Sequence, residues 1–172
     1  MKRFVTALLA ALLIVGACFA ACTPKSGSDD KNAAKLTDLD VNKLASDLAS
    51  ACKFDDQYLA LVENREFSLQ SFGIDPADVA EKDGVKESAI YVSSSTPEMI
   101  VVVKAANEEA FGRVESAVKA RIDDYTNNYE TYGPDQVAKL QSAVSRTVGQ
   151  VLITVVSADN GAAQDVLAGL LK

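Results

Sequence analysis

The chain has 172 residues, 48% of them hydrophobic, with 17 basic and 24 acidic side chains and a formal net charge of −7. An acidic chain with no Trp and no basic cluster repels phosphate backbones, which argues against nucleic-acid binding. It also has no His, which removes Ser-His-Asp and Cys-His catalysis, His-liganded zinc and haem, and the commonest general base near neutral pH.

The chain opens with Met1, Lys2 and Arg3, then an apolar run to Val15, then the small residues Gly16 and Ala17. That is a charged and then apolar export leader, too short for a spanning helix of ~20 apolar residues. Val15-Gly16-Ala17-Cys18 and Phe19-Ala20-Ala21-Cys22 both fit the small-residue pattern that precedes an acylated cysteine. Cys22 is the expected lipid attachment site and Cys18 the alternative, because Cys22 is followed directly by the polar run Thr23 to Asp30. Two acyl chains hold stably at ~0.8 kcal/mol per buried methylene. The expected organisation is a signal peptide over 1–21, a lipidated cysteine and flexible tether over 22–37, and a single domain over 38–172, on the outer face of the cell membrane. With the leader removed the net charge falls to about −9. Cys52 is then left without an intramolecular partner, and its place on an apolar helix face reads as a small buried hydrophobe.

Thr37 or Asp38 is the expected cap of a first helix on which Val41, Leu44, Ala45, Leu48, Ala51 and Cys52 recur at helical spacing. A second short helix is predicted over 54–64, turning Tyr58, Leu61 and Val62 inward, and a third over 67–72, stopped by Gly73. Pro76 opens a further short turn. The period then changes. β-Branched runs at 89–92 and 99–103 predict a hairpin. Asn107 caps a long helix with Glu108 and Glu109 in its first turn and an apolar stripe of Phe111, Val114, Val118, Ile122, Tyr125 and Tyr129. Gly133-Pro134 breaks that helix and starts a shorter one. A second hairpin turns at Gly149, and Asp159 or Asn160 caps a terminal helix.

This order predicts an α+β fold: an antiparallel four-stranded sheet from two ββα units with helices packed on it, preceded by N-terminal helices. With helices on one face only, Ile100, Val102, Leu152 and Val156 would need a cover, supplied by the N-terminal helices or by a partner such as a second copy.

Chemistry-bearing patterns are sparse. The acidic pairs Asp29-Asp30, Asp55-Asp56, Glu108-Glu109 and Asp123-Asp124 read as solvated charge, since neighbours on a helix diverge by about 100°. Ser116-Ala117-Val118-Lys119 spells the S-x-x-K of penicillin-recognising enzymes. No S-D-N or K-T-G box accompanies it, and an i,i+4 pair with Glu115 accounts for Lys119. Tyr125, Tyr129 and Tyr132 fall at core-facing helical spacing, although tyrosines amid Asn127 and Asn128 also suit a carbohydrate surface. Lys104 stands out at the end of an otherwise apolar strand, either snorkelling or donating to a ligand. The candidate ligand-binding residues are therefore Lys104, Tyr125 and Tyr129, with no catalytic, metal or cofactor site expected.

The lipobox, Phe72-Gly73-Ile74-Asp75-Pro76-Ala77-Asp78-Val79, Met99-Ile100-Val101-Val102-Val103-Lys104-Ala105 and Val148-Gly149-Gln150-Val151 together resemble the family known as domain of unknown function 4358. The resemblance runs loosely over 39–171 and implies a small lipoprotein of Gram-positive, clostridial-type bacteria with a lysine at the position of Lys104; it implies no activity. The functional expectation is a membrane-anchored, non-enzymatic module that binds a small ligand or an envelope protein. The alternative is an envelope hydrolase using carboxylates or Ser116 with Lys119. A third expectation is a homodimer formed through an apolar sheet face.

Overall fold

The computed structural model describes residues 39–172; the leader, Cys18, Cys22, the tether, Thr37 and Asp38 lie outside them. Helix α1 (Val41–Ala51) is capped by Asp40, whose carboxylate accepts from the N–H groups of Asn42 and Lys43. Cys52 ends α1 as a buried free thiol, and burial pushes its pKa up.

The next segment departs from expectation. Residues 54–64 form a loop ending in the two-residue strand β1 (Ala60–Leu61), with Tyr58 68% exposed. The reason is local: the Asp56 carboxylate accepts from Tyr58 N–H, the donor that a helix begun at Phe54 would direct to the Phe54 carbonyl, while the N–H groups of Asp55 and Asp56 bond the distant Glu98 carboxylate. Helix α2 (Arg65–Ser71) is capped by Asn64 and ends before Gly73, which sits at φ +71°. After a 3₁₀ turn at Pro76–Asp78 comes an unforeseen small hairpin, β2 (Glu81–Lys82) and β3 (Val85–Lys86). Asp83 at φ 54° and Gly84 at φ 77° make its type I′ turn.

The main elements follow as foreseen: β4 (Ser88–Val92), β5 (Met99–Lys104), α3 (Glu108–Tyr132), a 3₁₀ turn at Pro134–Gln136, α4 (Val137–Gln141), β6 (Val144–Val148), β7 (Val151–Val156) and α5 (Asn160–Leu170). Asn107 accepts from the Ala110 N–H to cap α3, and Asp159 accepts from Ala162 to cap α5. Gly149, at φ +57°, begins the two-residue II′ turn between β6 and β7.

The sheet has five antiparallel strands, not four, in the order β1-β4-β5-β7-β6. Its two edges are unequal, with two residues at β1 and five at β6. Met99 lies opposite Val156 and Lys104 opposite Val151, so odd positions of β5 share a face with even positions of β7. Met99, Val101, Val103, Leu152 and Val156 therefore face α2, α3 and α4. Ile100, Val102, Val151, Ile153 and Val155 face α1 and α5. The helices after the two hairpins thus lie on opposite faces, and the sheet is covered on both. The four residues expected to share one uncovered face divide between the two. The apolar face offered for a homodimer is sealed by α1 and α5 of the same chain, each fully buried aliphatic contributing ~1.5–3 kcal/mol. Among the described residues no helix is long and apolar enough to cross a membrane.

Ser88, on β4, is buried with a hydroxyl that has no hydrogen-bond partner among the described residues. Ser88→Ala is expected to leave stability unchanged or raise it by up to about 1 kcal/mol, because the buried hydroxyl is already unpaired. Urea denaturation reads this; a clear loss of stability would show that the hydroxyl is held by a partner.

Candidate functional site

On the α3 face of the sheet, α3 leaves the β6 side uncovered, and a cleft of about 350 Å³ opens there. Val118 and Ile122 of α3, Leu140 of α4 and Leu152 of β7 supply its apolar surface. Ser116, Lys119, Gln141, Ser145 and Thr154 supply polar groups. Thr154 is fully buried at the base, its hydroxyl 3.0 Å from that of Ser145.

The S-x-x-K pair lines this cleft, yet the two side chains point their chemistry elsewhere. Ser116 Oγ donates to the Gly112 carbonyl at 2.7 Å, the usual back-bond of a helical serine. Lys119 Nζ donates to Asp123 at 2.8 Å, the i,i+4 partner on the C-terminal side, where Glu115 on the N-terminal side was expected. No base is thereby aimed at the Ser116 hydroxyl among the described residues.

The three residues singled out from the sequence are not brought together. Lys104 ends β5 at the Val151 end of the sheet and pairs with Glu87 at 3.0 Å. Tyr125 and Tyr129 lie far along α3 from its start after Lys104, half-buried, rings edge to face with centroids 6.4 Å apart. The Arg121 guanidinium stacks 4.4 Å from the Tyr125 ring centre. Burial pushes the Tyr129 hydroxyl pKa up. Tyr132 does not continue this core-facing run: it is 87% exposed where α3 ends at Gly133.

The strongest polar assembly was not foreseen. Glu98, just before β5, has a fully buried side chain. Its carboxylate accepts from Asp55 N–H at 2.9 Å, Asp56 N–H at 3.0 Å, Thr96 Oγ at 3.1 Å and Lys139 Nζ at 3.0 Å. Lys139 also reaches Asp55 Oδ2 at 2.6 Å. Burial pulls the Lys139 ammonium down, but its bonds to Asp55 and Glu98 with their charges outweigh that, and its pKa stands above the ordinary value. Asn160 donates to the Lys139 carbonyl and Ser142 Oγ and accepts from Ser157, joining α4 and α5 to the same end of the sheet.

Asp56, expected as solvated charge, is buried. It accepts from Ser93 Oγ, Tyr58 N–H and Ser94 N–H, and these bonds, Ser93 first, hold its pKa near 2. A depressed folded pKa contributes stability that is present above the ordinary value of 3.8 and is lost as pH falls through about 2. Wild type is therefore expected to lose stability more steeply on acidification from pH 5 to 2 than Asp56→Asn, which lacks this carboxylate. Thermal melts across that range check it; parallel curves would show that Asp56 makes no such contribution.

No curated protein and no solved structure matches the chain. The family described as Domain of unknown function (DUF4358) matches residues 70–157, just over half of the chain, from the end of α2 to the residue after β7. That span holds the cleft, Glu98 and Lys139, and leaves out α1, α5 and Asp55–Asp56. The chain belongs to this domain family of unknown function.

Proposed function

We propose that the protein is a lipoprotein, anchored through Cys22 to the outer face of the cell membrane, whose domain is a non-enzymatic binding module with its ligand site in the cleft between α3 and β6–β7. The observation that carries the binding half is the cleft itself: apolar walls at Val118, Ile122, Leu140 and Leu152 beside a few polar groups are what a recognition site needs. The binding role first sought at Lys104, Tyr125 and Tyr129 passes to this lining.

A photo-crosslinking residue at Ser116, in the cleft, is expected to trap a discrete adduct in intact cells that the same residue at the exposed Glu130 does not. Adducts at neither position, or equally at both, overturn the binding reading. Palmitate labelling tests the anchor: Cys22→Ala is expected to abolish it and Cys18→Ala to spare it, and the reverse pattern moves the anchor to Cys18.

The hydrolase reading keeps one specific support, that Ser116 and Lys119 both face the cleft. It requires each to leave its present partner, Gly112 and Asp123, and an ester or β-lactam reporter turned over by wild type but not by Ser116→Ala would establish it.

A further inference from the structure

The cleft opens toward the sheet edge formed by β6, and that edge carries the inference. The two-residue turn at Gly149 and Gln150 makes Val148 and Val151 a hydrogen-bonded pair, so Arg146 with Ile153 and Val144 with Val155 are bonded pairs too. Ser145 and Thr147 therefore direct their N–H and C=O groups away from β7. None of these groups has a hydrogen-bond partner among the described residues, and Ser145, Arg146 and Thr147 are exposed in succession. Natural edges are usually shortened, covered or charged. Among the described residues β6 is neither shortened nor covered, and its one charge is Arg146.

We infer that β6 accepts an extended peptide strand from another protein, carrying a carboxylate opposite Arg146 and apolar residues on either side of it. Pairing through Ser145 and Thr147 sets the added residue opposite Arg146 in a close, non-bonded position on the α5 face. Arg146 is exposed and takes part in none of the ion pairs among the described residues, so a carboxylate opposite it would complement its charge. The residues flanking that carboxylate point to the other face, where the cleft begins at Ser145. A second copy of this chain fits less well: two-fold pairing about the same centre would bring Arg146 against Arg146, and like charges directly opposite destabilise a strand pair. The inference rests on the cleft-binding reading above and names its partner.

The test uses the full chain and a seven-residue valine- and threonine-rich peptide with a central glutamate, followed by fluorescence anisotropy. The glutamate peptide is expected to bind at least about tenfold more tightly than its central-lysine counterpart. Arg146→Glu should reverse that preference. Thr147→Pro removes one outward N–H at a position where an edge strand tolerates proline, and should weaken binding at least about tenfold. Should that variant fail to fold, the glutamate peptide N-methylated on alternate residues, added to the unaltered chain, should show the same loss. No binding at up to about 1 mM peptide, equal binding of both peptides, or a chain dimer by light scattering that Thr147→Pro abolishes would each overturn the proposal. A Ser116 adduct that persists alongside any of these results leaves the cleft reading standing; peptide binding without that adduct leaves the strand and removes the cleft.

Discussion

Lys139→Met is expected to cost the domain about 3–5 kcal/mol, because it leaves the carboxylate of Glu98 buried without its cation. The Glu98 side chain has no exposure and that of Lys139 only 14%, so water cannot readily replace the missing ammonium. On a domain of this size that loss lowers the thermal midpoint by on the order of 10 °C. Glu98→Gln should also destabilise, since an amide nitrogen in place of one carboxylate oxygen is itself a donor and cannot accept from Asp55 N–H, Asp56 N–H or Lys139. The double variant should cost less than the sum of the two, the signature of a coupled pair. A Lys139→Met chain within about 1 kcal/mol of wild type would mean that the N–H groups of Asp55 and Asp56 and the Thr96 hydroxyl satisfy Glu98 without the cation.

The second large effect lies on the opposite side of the sheet. Leu48 is fully buried between α1 and the face carrying Ile100 and Val102, and Leu48→Ala is expected to cost about 2–5 kcal/mol in urea denaturation. Leu48→Asp should be worse, because it places an unpaired charge in that layer. The expected result is a chain whose α1 lifts from the sheet, binds a dye specific for apolar surface and self-associates by light scattering. If the Asp variant stays monomeric and dye-free, α1 is not what keeps that face dry.

Much of what neighbours in the chain decide is legible in the sequence, although the cap of α1 is Asp40 and not Thr37 or Asp38. Asn107 and Asp159 announced their helices through the need of N-terminal donors for a side-chain acceptor, and Gly73 and Gly149 marked the places where the backbone reaches positive φ. Asp83-Gly84 carries the same kind of signal, but strands two residues long and mostly polar give no alternation to frame it. The two faces of the sheet were misassigned for another reason. Whether Ile100 sits with Leu152 or with Ile153 depends on the register between β5 and β7, which strands apolar on both sides do not encode. The loop at 54–64 depends on Glu98, more than 40 residues away, whose carboxylate holds the N–H groups of Asp55 and Asp56. The cleft, likewise, exists only once α3 and the β6–β7 hairpin are set side by side. Ser116 and Lys119 form a pattern in the sequence, but their separate partners, Gly112 and Asp123, are visible only in three dimensions.

The unequal edges of the sheet bear on how the molecule can assemble. Head-to-tail polymerisation through strands would require each chain to offer two full-length, compatible edges, one to take a neighbour and one to be taken. β1 is only two residues long. Among the described residues, a chain added at β6 therefore finds only this two-residue edge on the far side from which to continue. Strand-by-strand growth past a single addition is disfavoured by the shape of the sheet itself.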